Sequence, residues 1–157
     1  MRNLYLLRHA KASSAGASGR DFDRTLESQG REAAAKVGVV LAGEKLANPL
    51  FLSSTAVRAK ETTEVVLNNL ATEHDLNFDS RIYEADLPSL LTILSEIDQA
   101  RNVVVLVGHN PGLESLLRFL IGEVRSMPTA GLAKIAVSKS WSELQQGDGT
   151  IDWLSKG

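Results

Sequence analysis

The sequence predicts an α/β fold, a three-layer α/β/α sandwich around a mostly parallel central sheet. Three observations carry that expectation: compact apolar runs that end abruptly in polar residues, segments of helical apolar spacing between them, and the alternation of the two along the chain. Asn3 to Leu7 is the first run, of the kind expected for a strand buried on both faces. Lys11 to Asp23 has Ser, Gly and Ala but little pattern and reads as a long loop, which inside a small domain is often functional. Ser28 is placed to cap a helix running from Gln29, whose stripe is Ala33, Ala34, Val37, Val40 and Leu41. Pro49 to Ser53 is a second strand, followed by Thr55 as a cap and the stripe Ala59, Thr63, Val66, Leu67 and Leu70.

Arg81 to Tyr83 reads as a further short strand, and Leu87, Leu90, Leu91, Leu94 and Ile97 form the next helical stripe. Asn102 to Gly108 is a buried strand, after which Asn110 and Pro111 resemble an N-cap and a first-turn proline. The stripe Leu113, Leu116, Leu117, Leu120 and Ile121 follows, with Gly122 as its stop. The tail differs. Leu132 to Val137 and Thr150 to Leu154 are β-rich and are separated by the turn-like Gln145 to Gly149, so two final strands pairing as an edge hairpin are expected.

A chain of 157 residues, 43% hydrophobic, supports one core rather than two, and a single domain is expected over residues 1–157. A net charge of -2 provides no overall basic field for nucleic acid or an anionic membrane, so any anion site must be local. The absence of cysteine excludes a thiolate nucleophile and a disulfide framework, and the three histidines lack short-range ligand spacing, so no metal or other cofactor is expected. Met1 to Leu7 is too short an apolar stretch for a signal-peptide core and no other run approaches membrane length, which makes a cytoplasmic location the default.

In an open α/β sheet, ligands gather at the carboxyl ends of the strands. Just past the predicted strands stand Arg8 and His9, then Ser53, Ser54 and Arg58, then His109 and Asn110, with Arg24 in the loop after Asp21-Phe22-Asp23. Such a set suits a phosphoryl group: guanidinium forks match phosphate oxygens, and helix N-termini add donors. A neutral imidazole can attack phosphorus to form a phosphohistidine that water then hydrolyses. Nearby arginines disfavour imidazolium, and a backbone carbonyl at the other ring nitrogen of His9 would fix its tautomer.

Together, Leu4-Tyr5-Leu6-Leu7-Arg8-His9-Ala10, Asp23-Arg24-Thr25-Leu26 through Gly30-Arg31, Leu52-Ser53-Ser54-Thr55-Ala56-Val57-Arg58-Ala59-Lys60-Glu61-Thr62, Val107 to Glu114 and Met127-Pro128-Thr129 resemble the SixA-type branch of the histidine phosphatase superfamily, which is phosphoglycerate mutase-like in fold. The resemblance implies that His9 is the phosphorylated nucleophile, that Arg8 and Arg58 bind phosphate, and that His109 contacts the phosphoryl group. It also brings Arg24 to the phosphate pocket, and Asn110, by its place just past the strand, is a further candidate for phosphate binding. Three departures stand out. Ala10 replaces the usual glycine and Thr55 the usual proline, while the carboxylic acid that protonates the leaving group in larger members has Glu84 as its best candidate. A weak or absent acid fits a phosphoramidate better than an unactivated ester, because imidazole leaves more readily than alkoxide.

The expected function is therefore a metal-independent phosphatase acting on a phosphorylated protein, with phosphohistidine as the substrate group, or on a small phosphorylated metabolite. A phosphate-binding module that has kept the pocket and lost turnover is the alternative from another class. Ser53 and Ser54 are read as capping or turning the chain, and His74 as an exposed residue in a polar stretch.

Overall fold

The computed structural model describes residues 1–14 and 18–156, so the centre of the loop expected over 11–23 lies outside the described residues. The strands are β1 (Arg2–Arg8), β2 (Leu50–Ser53), β3 (Asp75–Phe78), β4 (Val103–Gly108), β5 (Leu132–Val137) and β6 (Gly149–Ser155). The helices are α1 (Ser28–Gly43), α2 (Val57–Asn68), α3 (Leu87–Ser95) and α4 (Gly112–Ile121). The strands form one sheet in the order β3-β2-β4-β1-β5-β6. From β3 to β1 the pairing is parallel, and β5 and β6 add antiparallel at one end.

The three layers follow from the two-residue period of the central strands. Leu4 and Leu6 of β1, with Val104 and Leu106 of β4, face the core made with Leu90 and Leu94 of α3 and Leu113, Leu116 and Leu117 of α4. Tyr5, Leu7, Val105 and Val107 point the other way, onto Ala34, Val37 and Leu41 of α1 and Ala59 and Val66 of α2. Both faces of β1 and β4 are therefore apolar, which is why these strands appear as continuous runs in the sequence.

Two expectations about local structure are corrected. The strand expected at Arg81 to Tyr83 is instead a 3-10 turn, Ser80–Ile82, whose first turn is tied by Asp79 accepting from the Arg81 N–H. The fourth parallel strand is β3, a mostly exposed sheet edge that has no need of an apolar run. The expected caps also fail. Glu27, Ala56 and Pro111 occupy the N-cap positions of α1, α2 and α4, none with a side-chain cap bond, so Ser28, Thr55 and Asn110 do not serve. Gly122 does end α4, in the left-handed conformation at φ 79°.

The start of α4 lies hard against the loop before α3. A Cβ on Gly112 would sit 2.3 Å from the Ala85 carbonyl oxygen, so only glycine allows that approach. Alanine's helix propensity gains at most about 1 kcal/mol. Overpacking costs about 1–3 kcal/mol, so Gly112→Ala should lower the urea midpoint, and an unchanged or raised midpoint would contradict this packing.

Candidate active site

Parallel pairing of β1 with β4 places Arg8 opposite Gly108, so the residues that follow, His9 and His109, leave the sheet side by side. Their ring centroids are 5.2 Å apart, and both residues are buried. The His9 Nδ1–H donates to the Ala10 carbonyl at 2.8 Å, the backbone acceptor that fixes the tautomer. Its Nε2 is thereby left unprotonated, and its lone pair accepts from the Arg58 Nε–H at 3.3 Å. Ala10 is itself held, because its N–H donates to Thr62 Oγ1 at 2.9 Å while that hydroxyl donates to the Arg58 carbonyl.

His109 has the complementary arrangement. Its Nε2 lies 2.7 Å from Ser54 Oγ, which already accepts from the Ala56 N–H. The Ser54 hydroxyl has one proton and, among the described residues, no other acceptor, so it donates to Nε2 and the His109 proton resides on Nδ1. Among the described residues neither that buried Nδ1–H nor the buried Nε–H of Arg8 has a partner. Leaving a buried donor unmatched costs about 1–3 kcal/mol. An anion that reached these donors would remove that cost.

Arg8 is anchored by Nη1 donating to the Met127 carbonyl at 3.1 Å. The same carbonyl accepts from Asn110 Nδ2, whose other hydrogen goes to Glu114 Oε2, and Glu114 also accepts from the Met127 N–H. Both amide hydrogens of Asn110 are thus engaged within the protein. Its side chain holds the loop beneath Arg8 and presents an unpartnered oxygen rather than a donor, which does not suit the phosphate contact expected of it. Arg24 reaches the rim through the 3-10 turn Asp21–Asp23, with Nη1 on Asp21 Oδ1 at 3.1 Å and Nε on the Ser13 carbonyl. Glu84 is exposed, has a left-handed backbone at φ 56°, and lines a cavity of ≈ 260 Å³ together with Leu87, His109, Pro111 and Ser115.

Sequence reasoning missed Asp21, Tyr83 and Glu114, and read Ser54 only as a local cap. Asp21 Oδ2 accepts from Arg58 Nη2 at 3.0 Å and from the Tyr83 hydroxyl at 2.7 Å. The Tyr83 ring packs edge-on against His109 at 5.5 Å and against Phe22 at 5.1 Å. No local pattern marks these contacts, since the Asp21–Tyr83 bond joins residues 62 apart in the chain and the Asp21–Arg58 pair residues 37 apart.

The electrostatics follow from burial among cations. Desolvation, reinforced by Arg58, Arg8 and Arg24, pushes His9 down from 6.5 to about 4. Burial does the same to His109, which falls to about 3. Burial is the largest cause for both; at His9 the bond to Ala10 opposes it before the arginines add to it, and at His109 the neighbouring His9 comes before Arg58, an order the sequence could not reveal. Asp21 is held down at about 2, first by the Tyr83 hydroxyl and then by the two arginines. Among the described residues no group of three His, Asp or Glu side chains is arranged to hold a metal ion, and no helix is long and apolar enough to cross a membrane.

Residues 4–102 match the family model of the histidine phosphatase superfamily, branch 1. An uncharacterized chloroplastic protein of Arabidopsis thaliana is 29% identical over 172 residues, covering 99% of this chain and 76% of that protein. A structure from Agrobacterium tumefaciens, provisionally described as the phosphohistidine phosphatase SixA, is 29% identical and superposes with a TM-score of 0.85 over 99% of this chain and 98% of its own. The protein histidine phosphatase SixA complexed with tungstate has the same fold, with a TM-score of 0.84 at 22% identity, covering 98% of this chain and 96% of that one.

Two neutral buried imidazoles make a prediction about titration. Both take up protons more readily in the unfolded chain, so folded-state stability is lost as pH falls from 6.5 toward the depressed folded values near 4 and 3. Ring-carbon NMR of the native protein should show His9 and His109 neutral down to about pH 5. A midpoint near 6.5 for either would contradict the site's electrostatics.

Proposed function

The chain belongs to the histidine phosphatase superfamily, and on that premise we propose that it removes phosphoryl groups from phosphohistidine on protein substrates, through a phosphohistidine formed on its own His9. The observation that carries the reading is the tautomer of His9. With Nδ1–H committed to the Ala10 carbonyl, Nε2 is neutral, unprotonated and next to the Arg58 Nε–H.

In the first step Nε2 attacks phosphorus, the N–P bond to His9 forms and the N–P bond to the substrate ring breaks. That ring, protonated on its distal nitrogen beforehand, keeps the electron pair and leaves as neutral imidazole, while His9 becomes the phosphorylated imidazolium. Arg8, Arg58 and the His109 Nδ1–H stabilise the charge on the equatorial oxygens as preorganised donors. In the second step water attacks the phosphohistidine, releases inorganic phosphate and restores neutral His9.

The proton inventory supports the choice of substrate. Asp21 is the carboxylate beside Arg58, and with its pKa near 2 it is ionised and cannot protonate a leaving group near neutral pH. Glu84, the proposed acid, stands exposed at the lip of the cavity beside His109. A positioned general acid contributes about 10²–10⁴-fold where an alkoxide must leave. A phosphohistidine needs that help far less, and an exposed lip admits a side chain presented by another protein.

A panel of phosphohistidine peptide, aryl phosphate, sugar phosphate and nucleotide should rank the N–P substrate first, with chelator making no difference. His9→Ala should lower turnover by at least about 10³-fold. Glu84→Gln should change phosphohistidine turnover by less than about threefold, since the acid's contribution belongs to poor leaving groups. A sugar phosphate ranking first, or His9→Ala keeping full activity, would overturn the proposal.

A further inference from the structure

We infer that Asp21 is a positioning residue for Arg58: it occupies one fork of the guanidinium so that the other is presented to the phosphoryl group at His9. The inference rests on the histidine-phosphatase reading of the site and assigns a role to a turn which that reading leaves unused.

A guanidinium has two usable donor forks, an end-on pair from Nη1 and Nη2 and a side-on pair from Nε and Nη2. Both atoms of the end-on fork are engaged by one residue. Arg58 Nη1 donates to the Asp21 backbone carbonyl at 2.8 Å, and Nη2 donates to Asp21 Oδ2 at 3.0 Å. The side-on fork is then aimed at the nucleophile, with Nε 3.3 Å from His9 Nε2, and among the described residues Nη2 donates to Asp21 alone, which leaves its second hydrogen for the same side. A bidentate grip on two phosphoryl oxygens requires that pair and that direction.

The clamp is itself braced. Asp21 accepts from the Tyr83 hydroxyl at 2.7 Å through Oδ2 and from Arg24 Nη1 at 3.1 Å through Oδ1. Tyr83 in turn packs against Phe22 and His109, and the Arg58 Cζ lies over its ring, 5.8 Å from the centroid. Burial is unequal across the pair: the Arg58 side chain is 7% exposed and that of Asp21 49%. Asp21 therefore contributes direction to a guanidinium whose position is set elsewhere, by helix α2. The same geometry ties Arg24 to the site through Asp21 Oδ1.

The test compares wild type, Asp21→Asn and Tyr83→Phe on an aryl phosphate, with titration of orthovanadate to count intact sites. Asp21→Asn should lower kcat by roughly 10- to 100-fold, the scale of a misdirected catalytic group. It should shift KM and inhibition by inorganic phosphate by less than about threefold, because the cation itself remains, and it should still bind vanadate at about one per chain. Tyr83→Phe should show a smaller loss of the same kind, and the double variant should lose less than the sum of the two.

Unchanged kcat in Asp21→Asn would overturn the inference. So would a raised kcat with tighter phosphate inhibition, which would make Asp21 a competing anion, or lost vanadate sites, which would make it a residue of the fold. An inactive wild type would instead count against the phosphatase reading.

Discussion

The register between β1 and β4 is the constraint from which the site follows. Because the two strands run parallel with Arg8 opposite Gly108, their ends lie at one level, and the next residue of each is a histidine. A shift of one residue would turn the alternating side chains to the wrong layers, exchanging Leu4 and Leu6 with Tyr5 and Leu7 between the two cores. The apolar burial that holds the sheet together thus also holds the imidazoles 5.2 Å apart. The His9 N–H donating to the Gly108 carbonyl continues the ladder one step beyond the strands.

Around that pair, backbone and hydroxyl groups assign the protons. The Ala10 carbonyl and the Ser54 hydroxyl give the two histidines opposite tautomers, a lone pair on His9 Nε2 and a donor on His109 Nδ1. Burial keeps both neutral, with the arginines adding to it. The site therefore combines an uncharged imidazole, unprotonated at Nε2, with cationic donors, so that attack by His9 in the proposed mechanism needs no proton removed first. Glu114 and Asn110 secure the Met127 carbonyl and backbone under Arg8.

Much of this was legible in the sequence, for physical reasons. Strands covered on both faces must be apolar throughout, so β1 and β4 showed themselves, and the residues at their carboxyl ends could be named as a group. β3 escaped because an exposed edge has no such requirement, and the 3-10 turn at Ser80–Ile82 was mistaken for it. The helix caps were misjudged because helices seated against a sheet owe their starts to packing: Gly112 against Ala85 decides where α4 begins more than Asn110 does. Asp21 and Tyr83 were invisible because each matters only through contacts made after folding.

The central claim is that chemistry occurs at His9 Nε2, and the covalent intermediate reports on it directly. Rapid quenching into alkali during turnover of an aryl phosphate, with 15N-labelled histidine and 31P detection, should reveal one phosphohistidine, at His9, with phosphorus coupled to Nε2. Phosphorus on Nδ1, on His109, or on no histidine at all would contradict the account.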